Sequence, residues 1–202
     1  MLSLFPGYCR DVLGTAEGTV TLFLALFSIG IGAGSLLCGR LSRGKVDLGL
    51  VPLGLLGMTL FTFDLFRIGQ PQFALRASTF GSPASPPLLG VMEFLSHLQG
   101  FLIATDLLLL SVFSGLFIVP LYALMQERSE SSHVSRVIAA NNILNALFMV
   151  GVSGLLMGLL GAGFAIPRIF GILGGLNVFA GLVLFRSLPE FMSRLRSRFQ
   201  PN

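Results

Sequence analysis

Asn141, Asn142 and Asn145 open a long apolar run, "VIAANNILNALFMV". In a helix, positions 141 and 145 are four apart and 142 and 145 three apart, so the three carboxamides share one polar stripe. Two kinds of chemistry suit it. The amides can hydrogen-bond across helices, at about 0.6 kcal/mol per contact, or they can wall a cavity that meets polar headgroups. Both readings stay open.

Ionisable groups at membrane depth are costly, and they turn toward a bundle interior or a watery path. Asp106 is followed by "LLLLSVF" and is committed to its span, which makes it a candidate gating or binding group. Asp64 lies close to the outer end of its helix and reads as reaching the interface. Arg168, just after Pro167, reads as an interfacial anchor or as an ion-pair partner for Asp106 across the bundle. Glu93 and His97 are four apart in "LLGVMEFLSHL", a candidate interfacial helix on which they form a wet polar face.

No catalytic constellation accompanies these residues. The chain has no GxSxG, HExxH, P-loop or dinucleotide fingerprint. Two histidines and two scattered cysteines do not build a metal site. No enzyme activity, metal or cofactor is expected.

The elements that must position these residues are membrane helices. Only 11% of the 202 residues are charged, against about 25% in soluble domains, and the mean hydropathy is +0.86. A bilayer core of about 30 Å needs around 20 apolar residues as helix. Spans are expected at 19–38, 46–66, 101–125, 137–160 and 164–186, the third interrupted by Asp106. "MLSLFPGY" reads as the tail of a sixth helix. The expected class is an all-α polytopic membrane protein, with a membrane domain over 1–187, an outer loop at 67–100 and a basic tail at 188–202.

Alternation of these spans puts nine of the 13 basic residues on one side: Arg40, Arg43, Lys45, Arg128, Arg136, Arg186, Arg194, Arg196 and Arg198. The positive-inside rule makes that side, and the C-terminus, cytoplasmic. Orientation therefore accounts for the net charge of +4, and no nucleic-acid partner is expected. Cys9 and Cys38 fall at opposite faces and should stay unpaired. Gly30 with Gly34, Gly154 with Gly158, and Gly171 with Gly175 predict close helix packing. Pro52 and Pro120 predict kinks.

"GLFIVPLYALMQERSESSHVSRVIAANNILNALFMV" resembles the tenth and eleventh helices of major facilitator superfamily lysophospholipid transporters. "VTLFLALFSIGIGAGSLLCGRLSRGKVDLGLVPLG" resembles their eighth and ninth. "TDLLLLSVFSGLFIVPLYALMQ" and "SLPEFMSRLRSRF" are closest to the subgroup fused to an acyltransferase and an acyl-carrier-protein synthetase. The resemblance covers the C-terminal half of a twelve-helix fold, from the end of the seventh helix. It implies a bacterial inner-membrane protein that moves lysophospholipid between leaflets for phospholipid remodelling. Its cavity residues would be Asp106, Tyr122, Asn141, Asn142 and Asn145. "GRLSRGK" resembles the superfamily's cytoplasmic gating loop, through Gly39, Arg40, Leu41, Arg43, Gly44 and Lys45, with Arg43 where an aspartate is usual.

Such halves are 3+3 inverted repeats with the substrate site between two of them. The implied partners are membrane lipids, a missing N-terminal six-helix half and a phospholipid acyltransferase. Alone, the chain is expected not to transport. The alternatives are a non-transporting membrane scaffold for an acyltransferase, or a drug or solute exporter of the same superfamily.

Overall fold

Lipid offers no partners to backbone N–H and C=O groups, so apolar segments that cross it close their hydrogen bonds internally as helices. The computed structural model describes residues 4–42, 47–68, 88–130 and 132–187. Five of its helices are long and apolar enough to span a membrane: α2 (Glu17–Ser42), α3 (Leu50–Ile68), α5 (Leu98–Glu127), α6 (Val134–Gly161) and α7 (Ile166–Ser187). All five expected spans appear, with ends displaced by a few residues.

Two expectations about continuity change. Asp106 does not interrupt α5, which runs unbroken through both it and Pro120. Pro52 is the third residue of α3, where its missing N–H would have had no intrahelical acceptor anyway. The chain before α2 forms a three-residue helix, α1 (Phe5–Gly7), followed by a π-helical turn over Tyr8–Val12.

The stretch expected as one interfacial helix is instead split. α4 covers Val91–Ser96, and His97 is extended (φ −82, ψ 133), ending α4 and capping α5. The chain must change direction there, so Glu93 and His97 do not share a helical face.

Helix association in lipid rests on close packing rather than on the hydrophobic effect. α5 sits between α2 and α3, and α7 packs on the other side of α3. Glycines make the two seams of α5. A Cβ at Gly30 would collide with the Ser111 hydroxyl, and one at Gly34 with the Val112 carbonyl. Across the other seam, a Cβ at Gly54 would stand 2.7 Å from the Phe117 nitrogen, and one at Gly57 would enter the Phe113 ring.

These contacts also fix direction. Numbers rise together along α2 and α5, so those helices are parallel. They run opposite ways along α3 and α5, as they do along α3 and α7, where Gly171 meets Phe66 and Gly181 meets Leu55. The α6–α7 turn, closed by Gly163 at φ 81, returns α7 antiparallel to α6. Arg40, Arg128, Arg136 and Arg186 thus gather at one end of the bundle, as the alternation of spans requires.

The expected seam on α6 is not used: a Cβ at Gly154 or Gly158 would meet nothing within 4 Å. Of the whole helix only Leu156 is buried. The largest core cluster lies at the end opposite Arg40, Arg128, Arg136 and Arg186, where Phe5, Phe23 and Phe94 meet edge to face, with Tyr8 against Phe170. Cys9 and Cys38 are both buried and free.

Candidate functional site

α5 ends and α6 begins at the arginine-bearing end of the bundle, and their antiparallel return brings Tyr122 opposite the asparagine stripe. Asn141 donates from Nδ2 to the Tyr122 hydroxyl at 3.0 Å, and Asn145 donates to the same oxygen at 3.1 Å. The four-residue spacing of the two amides places them one turn apart on one face, so a single phenol oxygen can accept from both. Asn142 is exposed beside them.

From Asn142 to Leu155 every α6 residue is exposed. The helix is therefore held near its two ends, by the Tyr122 amides at one and by Leu156 and the core at the other. Between them runs an uncovered face that begins in polar carboxamides and continues as "ILNALFMVGVSGL".

Asp106 does not belong to this constellation. It stands 16 residues before Tyr122 on the same helix, about 24 Å along the axis. It is buried, with Asp64 of α3 near it. The proposed pairing of Asp106 with Arg168 does not occur: Arg168 is exposed, and among the described residues no ion pair joins the two. α7 packs on α3 rather than against α5, which leaves Arg168 at the surface. Asp64, expected at the interface, is half-buried and turns one side toward Arg67 at 3.9 Å.

Of the gating-loop residues, Gly39, Arg40 and Leu41 form the last turn of α2; Arg43, Gly44 and Lys45 lie outside the described residues. No group of three or more His, Cys, Asp or Glu side chains that could hold a metal occurs among the described residues. One polar contact had no signal in single-sequence reasoning. Asn177 of α7 donates to the Thr59 hydroxyl of α3 at 2.9 Å. Asn177 is a lone polar residue in an apolar run, and only the pairing of α3 with α7 links it to Thr59.

Five apolar spanning helices, some joined by polar side-chain contacts, define an all-α multi-pass membrane protein. Comparison with family models, curated proteins and solved structures finds no match to this chain.

Proposed function

We propose that this chain is the C-terminal half of a transporter of the major facilitator type, one that moves lysophospholipid across a bacterial inner membrane by alternating access with its C-terminus in the cytoplasm. The observation that carries the reading is the state of α6. It bears three carboxamides, yet it is the least covered of the spanning helices. Polar side chains on a spanning helix turn toward protein or a wet cavity rather than lipid. Asn141 and Asn145 are answered by Tyr122, while Asn142 faces outward on the same stripe.

That pattern suits one wall of a cavity, to be completed by a second six-helix unit. The amides and the phenol at the arginine-bearing end would meet the polar headgroup, and the apolar length of α6 the acyl chain. No catalytic role is assigned to any residue.

A lysophospholipid-flipping assay in vesicles tests this. The chain alone should not flip, and co-reconstitution with an N-terminal six-helix unit of a lysophospholipid transporter should give flipping that Asn142→Leu reduces. Flipping by the chain alone would sink the two-wall reading. Movement of a small solute in place of lipid would point to an exporter. Support of acyltransferase activity with no flipping under either condition would point to a scaffold.

A further inference from the structure

Asp64 and Asp106 are the acidic residues that lie within spans rather than at their termini. They face each other across the α3–α5 seam, close enough for each charge to act on the other. The meeting follows from helix register. Gly54 lies against Phe117 and Gly57 against Phe113, and the same antiparallel progression brings 64 opposite 106.

A carboxylate has no donor, so a hydrogen bond between two carboxyl groups requires a proton on one of them. Two ionised carboxylates in contact would also repel. Among the described residues no cation pairs with Asp106, which is only 5% exposed and whose Oδ2 is buried with no hydrogen-bond partner.

Other polar groups lie toward the same end of the bundle. Tyr8, in the π-helical turn, is 1% exposed; its hydroxyl has no partner and lies within reach of the Asp106 charge. Cys9 is its neighbour on that segment, and α2 presents the buried Thr19 hydroxyl, also without a partner. On α3, Arg67 reaches Asp64 at 3.9 Å but is itself 77% exposed. The remaining charged or titratable groups toward this end are Arg10 and Asp11 of the turn, Glu17 of α2, Glu93 of α4, His97 and Arg168 of α7. All of these are exposed.

We propose that Asp64 and Asp106 form a proton-binding site between α3 and α5, with one proton held between the two carboxyl groups. The Asp64 side chain is 39% exposed and gives the proton its route to water. With the proton bound, the carboxyl pair joins the two helices. Release of the proton leaves two carboxylates in contact inside the bundle, and the α3–α5 seam loosens at this end. The site depends on no transport reading, because its readout is the carboxyl group itself.

Infrared difference spectroscopy on the full chain in lipid nanodiscs, between acid and alkaline buffers, tests the site. The wild type should show a protonated-carboxyl stretch that disappears in alkali and shifts in D2O. Asp106→Asn and Asp64→Asn should each abolish it, because a carboxamide brings its own donor to the remaining carboxylate. Circular dichroism of both variants checks that the helices are retained. Glu93→Gln should leave the band unchanged. The proposal is overturned if the wild type shows no such band, if the band survives both aspartate variants, or if sodium at constant pH displaces it.

Discussion

Asn141 on α6 donates to the Tyr122 hydroxyl on α5 at 3.0 Å, and Asn145 reaches the same oxygen one helical turn later. This is the polar tie between α6 and the α2–α3–α5 bundle. One phenol satisfies two amides, so the three side chains act as a unit at the arginine-bearing end.

Tyr122→Phe removes the acceptor of both amides without changing ring volume. Interhelical hydrogen bonds in membranes average about 0.6 kcal/mol, so the loss should be about 1 kcal/mol. It should fall on α6 rather than on the whole bundle. Hydrogen exchange of α6 amides should accelerate in the variant while α2, α3 and α5 keep their protection. Unchanged α6 exchange would show that the tie contributes nothing.

The glycine seams give a prediction with an internal control. Gly34→Val pushes a side chain into the Val112 backbone, whereas Gly154→Val meets open space. Overpacking costs about 1–3 kcal/mol, so Gly34→Val should lower the thermal unfolding midpoint in detergent and Gly154→Val should leave it in place. If both variants melt alike, the α2–α5 approach is looser than these glycines require.

The contrast between these glycines marks what sequence can reveal. Both Gly30–Gly34 and Gly154–Gly158 have the same spacing, but only the first pair has a helix against it, because spacing does not name the neighbour. The five spans were legible because lipid forces apolar runs of that length into helix. The asparagine stripe was legible from its three- and four-residue spacing, and Tyr122 entered through the family resemblance. Asp64 and Asp106 were each noticed, yet their meeting depends on the α3–α5 register, which no local pattern encodes. For the same reason Arg168 was offered as a partner for Asp106 and proves to be exposed.

Asn177 and Thr59 are the polar contact of the α3–α7 seam, at 2.9 Å. Thr59 also donates to the Leu55 carbonyl at 2.8 Å, so its oxygen is free to accept from the amide. A double-mutant cycle with Asn177→Leu and Thr59→Val should give a coupling energy of about 0.6 kcal/mol. Additive single effects would mean that the two side chains do not communicate.

The helix directions predict which residues share a membrane face. α2, α5 and α7 run one way and α3 and α6 the other, so Arg40 and His133 belong to one end and Met92 to the opposite end. In a background with Cys9 and Cys38 replaced by Ser, Arg40→Cys and His133→Cys should react with an impermeant maleimide from the same side. Met92→Cys, 81% exposed on α4, should react only from the other. By the alternation of spans nine of the 13 basic residues fall at the Arg40 end, and the positive-inside rule predicts that end to be cytoplasmic. Intact cells should therefore label Met92→Cys alone, and inside-out vesicles the other two. Labelling of His133→Cys and Met92→Cys from a common side would mean that α5 does not cross the membrane, against the helix directions seen here.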